Sequence, residues 1–291
     1  MPNKDPIQGP VTRTMKSILT TGENRRIAKA MLDYSMLAHN DRVLVAVSGG
    51  IDSLVLAWVL HNWRKKAPID YEVQAVYVDM RLPGSTAKDR TVGDRATRIR
   101  EQLNEIGLSC QIVSAERPAL PDTSDNSDTA GICFQCARNR RRLLFNSARE
   151  QQWNTIALGH HRDDIVETFF INLTCSGNIS TMRPKQVLFS GRLALIRPLA
   201  YLVKEEIRQI GNRLGCTPVA SDCPVSEKTR RKDIRALVAH IYEQLPGSQE
   251  HIFAALGNVR QQYLLLQDAN KQQPQQETTQ KLTEELHANK S

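Results

Sequence analysis

From Val43 onward, short apolar runs rich in β-branched residues alternate with longer segments whose apolar positions recur at helical spacing. The short runs predict five strands, over 43–47, 71–78, 109–113, 155–158 and 193–196. The longer segments predict helices, the first ending near 65 and the others over about 87–107, 136–152 and 163–173. Apolar strands separated by helices are typical of parallel sheets that are covered on both faces. The pattern therefore predicts an α/β fold with an open, parallel, five-stranded sheet.

Helical patterns also flank the predicted sheet. A basic lead-in over 12–40 carries an apolar stripe, made by Ile27, Ala30, Met31 and Leu37. After Pro198, the pattern predicts helices over 204–214, 227–244 and 249–266. We expect four regions: an N-terminal helical lead-in (1–41), a nucleotide-binding α/β domain (42–200), a C-terminal helical part (201–266) and a disordered polar tail (267–291). A polar stretch with two prolines over 118–129 predicts a mobile loop.

The junction between the first strand and its helix, called here the first motif, has the composition of an anion site. It reads Ser48-Gly49-Gly50-Ile51-Asp52-Ser53. The glycines allow close backbone approach, and the N–H groups at the positive end of a helix attract phosphate. A glycine pair by itself is more often a plain strand-to-helix turn, so the motif needs support from elsewhere in the chain.

A second junction, over 158–164 and called here the second motif, repeats this design with Gly159, His160, His161 and Arg162 before Asp163 and Asp164. Two carboxylates after a glycine turn suit a Mg²⁺ ion that bridges phosphates. The alternative is that Asp163 only caps the helix. Ligands of open parallel sheets bind beyond the carboxyl ends of the strands, where Ser48, Asp79 and Gly159 are predicted to lie. Together, the two motifs predict one nucleotide site at that edge.

The charge balance and the absence of a long apolar span narrow the setting. A net charge of +8 and a pI near 9.3 favour an acidic partner. The positive charge concentrates in two basic clusters, Arg138 with 140–142 and Lys228 with 230–232 and Arg235, which are otherwise read as solvated helix faces. A polar N-terminus without a signal peptide predicts a cytoplasmic protein that does not bind membranes, so its six cysteines are expected to be thiols or metal ligands.

Two cysteines, Cys133 and Cys136, are three residues apart at the predicted start of a helix. That spacing places both thiols within reach of one metal centre, and the helix dipole and the following arginines favour thiolates. Cys223, in a predicted loop, is a candidate third ligand. The pair is also compatible with zinc or with a redox disulfide. The other cysteines, Cys110, Cys175 and Cys216, are predicted to be buried.

Taken together, these motifs resemble one family. The first motif resembles the pyrophosphate loop of the PP-loop ATP pyrophosphatases, and the second resembles a signature of their tRNA-thiolating branch. Three further segments are similar to the tRNA 2-thiocytidine synthetase family: Cys133-Phe134-Gln135-Cys136 with its arginine-rich helix, Met182-Arg183-Pro184-Lys185 after Gly177, and Arg197-Pro198-Leu199-Ala200-Tyr201. The similarity covers roughly residues 25–260, and the motifs occur in the family's order.

The resemblance implies an ATP-dependent tRNA sulfurtransferase. Such an enzyme adenylates the C2 oxygen of a cytidine, expected at position 32 of the anticodon loop, and replaces it with sulfur to give 2-thiocytidine, AMP and pyrophosphate. The nucleotide and its Mg²⁺ would contact Ser48, Gly49, Gly50, Asp52, Ser53, Val78, Gly159 and Asp164. The catalytic residues would be Asp52, Asp163, Asp164 and Cys223.

The resemblance also implies cofactors and partners. Cys133, Cys136 and Cys223 match the ligands of a [4Fe-4S] cluster whose fourth iron has no protein ligand and can hold a sulfur atom. The implied partners are tRNA, bound by the basic clusters, a sulfur donor such as a cysteine desulfurase, and a second copy of the chain in a homodimer. One departure concerns the residues after Cys223, Pro224-Val225-Ser226-Glu227, where related sequences often have a further cysteine. A sulfur route through a persulfide at that position is therefore not available, whereas delivery through the cluster iron is.

Three other functions fit parts of the pattern. A lysidine-synthetase-like ligase would use the first motif but would not need Cys133, Cys136 and Cys223. A tRNA uridine 2-thiolase would differ in the target base, and such enzymes usually carry extra zinc-binding cysteine pairs that this chain lacks. A non-catalytic iron-sulfur or zinc protein that binds nucleic acid would need the first motif to be vestigial.

Overall fold

The computed structural model describes residues 18–81, 95–116, 129–219 and 230–265. The chain divides into two compact units, Met1–Gln244 and Leu245–Ser291. The predicted tail, nearly all of the predicted loop over 118–129, and Cys223 lie outside the described residues. Within the described ranges, no helix is long and apolar enough to cross a membrane.

One mixed sheet forms the centre of the first unit. Its strands are β1 (Asp41–Val47), β2 (Tyr71–Arg81), β3 (Cys110–Glu116), β4 (Thr155–Leu158), β5 (Lys185–Leu188) and β6 (Leu193–Ile196), in the order β3-β2-β1-β4-β6-β5. The five predicted strands are present and pair in parallel. The predicted count of five was wrong, because β5 pairs antiparallel with β6 at the edge. Two of its four residues are exposed, so β5 lacks the continuous apolar run that identifies a central strand.

Seven helices belong to the described part of the first unit: α1 (Thr21–Asp33), α2 (Ile51–Trp63), α3 (Arg95–Glu105), α4 (Thr129–Glu150), α5 (Arg162–Cys175), α6 (Lys204–Leu214) and α7 (Arg230–Gln244). The second unit has α8 (Ser248–Ala255) and a 3-10 turn (Gln261–Tyr263), so the helix predicted over 249–266 is shorter than expected. Helix α4 begins seven residues before its predicted start at Cys136.

The core lies on both faces of the sheet. On one face, α1, α2, α3 and α6 pack against the strands, and the α1 residues Ile27, Ala30 and Met31 are buried there as predicted. The basic lead-in helix therefore contributes to the main core. Helix α2 is buried along residues 53–61, which makes it the central helix of this face. On the other face, Ala148 and Trp153 cover Leu44, Val76 and Ile156.

Strand register determines which residues reach the carboxyl edge together. Val47 pairs with Tyr77, Ala46 with Leu158, and Ala157 with Ile196. The residues that follow these pairs, Ser48, Val78, Gly159 and Arg197, therefore lie along one edge, as the predicted nucleotide site requires. Asp79 is not at a strand end, because β2 continues to Arg81 beside β3, but it lies beyond the last residue of β1.

Candidate active site

The first motif forms a tight, internally braced turn before α2. Gly49 has φ 84°, a left-handed conformation that favours glycine, and a Cβ atom there would lie 2.7 Å from Cδ1 of Ile99. The Ser53 hydroxyl accepts a hydrogen bond from the Ser48 N–H at 3.1 Å and donates one to the Gly50 carbonyl at 2.8 Å. Because Ser53 is buried, its side chain shapes the turn. The turn places the N-terminus of α2 at the edge of the sheet, a geometry that suits a phosphate.

The second motif touches the first one through backbone atoms. A Cβ atom on Gly159 would lie 3.1 Å from the carbonyl carbon and oxygen of Asp52 and from the nitrogen of Ser53. A Cβ atom would crowd this approach, and glycine avoids the crowding. The structure thus brings together two motifs that are more than one hundred residues apart in the sequence.

The three candidate catalytic carboxylates of the described chain each have a protein partner. Both oxygens of Asp52 accept from Nζ of Lys204, at 2.6 and 2.7 Å. The backbone N–H of the same lysine donates to Asp163 at 2.8 Å, so Lys204 connects the two motifs. Burial disfavours ionisation of Asp163, but hydrogen bonds from His161 and from the Lys204 backbone outweigh it and hold its pKa below the usual value.

The N-cap residue of α5 is His161, whereas the sequence-based alternative assigned that role to Asp163. Asp164, at the third helical position, accepts a hydrogen bond from the backbone N–H of His161 at 3.0 Å through Oδ2, as in a capping box. Oδ1 of Asp164 faces Nη1 of Arg231 at 3.3 Å. The carboxylate of Asp164 can accept further bonds beside the one to His161, since an ionised carboxylate has several acceptor positions.

Neutral His160 links the second motif to the segment around Arg197. Its Nδ1 accepts a hydrogen bond from Nε of Arg197 at 3.2 Å, and Arg197 also donates to the Arg183 carbonyl. Burial lowers the pKa of His160 to about 4, against the opposing attraction of Asp164. These contacts unite three of the sequence segments on which the family resemblance depends.

The cysteine pair lies on α4, which stands between β3 and β4 in the chain. Because these two strands are parallel, the chain must run back across the sheet between them, so α4 begins on the side of the carboxyl edge. Cys133 and Cys136 are both half-buried, and neither forms a disulfide. Since α4 begins at Thr129, the pair is not at the helix start, and the helix dipole favours their thiolates less than predicted. Among the described residues, no group of three or more potential metal ligands occurs. The pair fits two ligands of one cluster, and the predicted third, Cys223, lies outside the described residues.

The remaining cysteines differ from one another. Cys110 and Cys216 are half-buried against the core, and burial raises the pKa of each thiol to about 11. The prediction that Cys175 is buried was wrong, because it ends α5 at an exposed position. Hydrogen bonds with Thr174 and Arg230 lower the pKa of its thiol.

The two basic clusters also differ. In the cluster near α7, Arg235 forms two hydrogen bonds with the buried carboxylate of Glu167, at 2.6 and 3.1 Å. Arg231 contacts Asp164 and donates to the Thr168 hydroxyl at 3.1 Å. These two arginines attach α7 to α5 and remain partly exposed, so their predicted role in tRNA binding stays a prediction, and Lys228 of this cluster lies outside the described residues. The arginines of α4 are exposed.

Lys204 and Glu167 are site residues that the sequence analysis missed. The sequence could have indicated Glu167, because an acid in a helix beside Ile165 and Val166 needs a partner when that face is buried. For Lys204 the only indication is its position at the start of the first helix after the last predicted strand.

Comparisons with known proteins agree with this geometry. The family model described as PP-loop domain matches residues 19–241. A tRNA-cytidine(32) 2-sulfurtransferase from Pelobacter propionicus is 32% identical over 241 residues, which cover 82% of this chain and 86% of that protein. The enzyme of the same name from an Anaeromyxobacter species is 34% identical over 248 residues, which cover 85% and 78%.

Among solved structures, the U34-tRNA thiolase NcsA from Methanococcus maripaludis with its [4Fe-4S] cluster superimposes with a TM-score of 0.61. The match covers 81% of this chain and 77% of that one, at 22% identity. At this identity the likeness supports the fold, namely a mostly parallel open sheet with flanking helices.

Proposed function

Because the chain belongs to the PP-loop family and is similar over most of its length to tRNA-cytidine(32) 2-sulfurtransferases, we propose that it is an ATP-dependent tRNA thiolase that places sulfur at C2 of cytidine 32. One structural observation carries the proposal. Two glycine turns meet through backbone atoms at the sheet edge where the cysteine-bearing helix α4 begins.

In this proposal, the N-terminus of α2 and the first motif bind the ATP phosphates. Ser48, Gly49, Gly50 and Asp52 line the turn that Ser53 braces, while Val78 and Gly159 lie nearest to the adenosine. The C2 oxygen of the cytidine attacks the α-phosphate, and pyrophosphate leaves. The reaction converts a poor leaving oxygen into a good one, and backbone N–H groups stabilise the charge that develops on the phosphates.

Asp163 and Asp164 are the candidates for holding Mg²⁺ with the nucleotide, since Mg²⁺ is usually bound by one or two carboxylates together with phosphates and waters. Nζ of Lys204, which pairs with Asp52, and Arg231, which pairs with Asp164, already supply positive charge beside these groups. A lysine paired with Asp52 is also placed to hold that carboxylate in one rotamer until the nucleotide arrives.

Cys133, Cys136 and Cys223 would hold the [4Fe-4S] cluster. When bound, the cluster would supply the site at which sulfur is held before it replaces the activated oxygen. Half-burial of Cys133 and Cys136 suits this role, because the site must be shielded from water and still accept a tRNA base. The proposed partners are tRNA, a sulfur donor such as a cysteine desulfurase, and a second copy of the chain.

The test compares Asp52→Asn with Asp70→Asn, a control at a carboxylate that is 92% exposed. Each variant replaces the wild-type gene, and tRNA nucleosides are analysed by mass spectrometry. We expect 2-thiocytidine to be lost with Asp52→Asn and retained with Asp70→Asn. Normal 2-thiocytidine with Asp52→Asn would contradict the proposal, and loss of 2-thiouridine instead would favour the uridine thiolase.

A second measurement separates thiolation from ligation. Protein purified without oxygen is assayed for iron and acid-labile sulfide and for activity on unmodified tRNA. An iron-free protein with full ATP-dependent activity would favour a ligase.

A further inference from the structure

One aromatic side chain of α4 faces solvent, and its position in the sequence is between the two cysteines. Phe134 is 68% exposed. Singly exposed apolar residues are common and carry no meaning by themselves. The residues that share its helix face give Phe134 its significance.

Three arginines follow Phe134 on the same face of α4. Arg138, Arg141 and Arg142 are four, seven and eight positions further along, which is the spacing of one helix stripe. All three are exposed, and in the part of the chain that the structure describes none forms an ion pair. We call Phe134 and these arginines the α4 stripe. It contrasts with α7, whose Arg231 and Arg235 are paired with acids of α5.

This combination of side chains matches one class of partner. Unpaired guanidinium groups bind the phosphates of a nucleic acid, and an exposed aromatic ring stacks on a base that is not paired. RNA loops offer such bases, whereas an RNA duplex keeps its bases stacked and exposes mainly phosphates and hydroxyl groups. An acidic protein surface would satisfy the arginines but would leave the ring without a specific contact.

We propose, on the basis of the proposed function, that Phe134 stacks on an unpaired base of the tRNA anticodon loop while the arginines of the α4 stripe bind the adjacent phosphates. Phe134 lies on the same turns of α4 as Cys133 and Cys136 but on a different face, because adjacent helical positions do not face each other. A base stacked on the ring therefore holds the RNA loop at the part of α4 that carries the cysteines. Phe134 thus acts as a substrate-positioning residue, and it contributes selectivity for a loop over a duplex.

The experiment uses cluster-loaded protein and measures the Kd for unmodified substrate tRNA and for an RNA duplex without a loop. The variants are Phe134→Ala, Phe134→Leu and Phe134→Trp, with Val187→Ala as a control at another exposed apolar position, on β5. We expect Phe134→Ala to weaken tRNA binding roughly 5- to 150-fold and to leave duplex binding unchanged, since one stacked base is lost. Phe134→Leu should resemble Phe134→Ala because leucine has no π face. Phe134→Trp should restore binding.

The arginines have a different signature. The double variant Arg138→Gln, Arg141→Gln should weaken binding of both RNAs and should flatten the plot of log K against log salt by about 1–2 units, because two phosphate contacts are lost. Iron content and unfolding temperature should match the wild type in all these variants, since the side chains are exposed.

Several outcomes would overturn the proposal. Phe134→Leu that binds tRNA like the wild type would show that an aromatic ring is not needed. Phe134→Ala that changes neither affinity, or both equally, would show that the ring does not read a loop base. Loss of iron or of stability in Phe134→Ala would show that the ring packs within the protein. If the wild-type protein neither binds nor thiolates the tRNA, the proposed function fails; if it does both and the Phe134 variants are unaffected, only the stacking fails.

Discussion

Replacing Gly159 with alanine tests the contact between the two motifs. The added Cβ would lie 3.1 Å from three backbone atoms, the carbonyl carbon and oxygen of Asp52 and the nitrogen of Ser53. A flexible side chain can turn away, but these atoms belong to the first turn of α2, so β4 and α2 must separate by a few tenths of an ångström. Overpacking of this kind costs about 1–3 kcal/mol.

For a domain of this size, that cost lowers the unfolding temperature by about 2–12 °C. The atoms that move are those proposed to bind phosphate, so we expect the rise in unfolding temperature on adding ATP to shrink as well. The assay is thermal unfolding with and without ATP. Gly22→Ala is the matched control, because its Cβ would meet only the flexible Nη1 of Arg26, at 3.6 Å. A Gly159→Ala protein with wild-type unfolding temperature and ATP response would refute the close contact.

Three further predictions concern charged groups. Lys204→Met should lower kcat/KM for ATP about 10- to 150-fold, because it removes a charge-assisted hydrogen bond to Asp52. Its unfolding temperature should stay nearly unchanged, because the ion pair is partly exposed. A stable variant with full activity would contradict this prediction. Glu167→Gln should lower the free energy of unfolding in urea less than Arg235→Met does. Only Arg235→Met leaves the buried carboxylate of Glu167 without its main partner. The reverse order would contradict the structure. In the nucleotide-free protein, the pKa of His160 is lowered, so the unfolded state binds more protons than the folded state between about pH 4 and 6.5, and the free energy of unfolding should rise with pH in that window. His160→Gln should show a flatter rise when unfolding is measured at several pH values. A rise equal to that of the wild type would contradict the lowered pKa.

Most of the fold could be predicted because its central strands are buried on both faces. β4 and β6 have the bounds that their apolar runs indicate, and α6 also matches its predicted range. β5 could not be found in this way, because half of its residues face solvent and its pairing with β6 depends on the chain folding back. The start of α4 was misplaced because the residues before Cys136 have no clear apolar periodicity.

The site was predictable where glycines and acids stand next to strand ends. Ser48, Val78 and Gly159 lie on one edge because parallel pairing places the residues that follow the strands side by side. The roles of charged residues were less predictable, because they depend on partners that are distant in sequence. Arg235, a candidate RNA contact from the sequence, also pairs with the buried Glu167, across 68 positions of the chain.

The sequence by itself determined the five parallel strands, the two glycine turns and the cysteine pair, since each depends on local spacing and on backbone freedom at a few positions. Only the tertiary structure decided that Gly159 rests against Asp52 and that Lys204 joins both motifs. It also decided that Arg231 and Arg235 of α7 pair with acids of α5 while the arginines of α4 face solvent. These facts depend on distances between segments that are far apart in the chain, and such distances are set by the packing of the whole sheet and its helices.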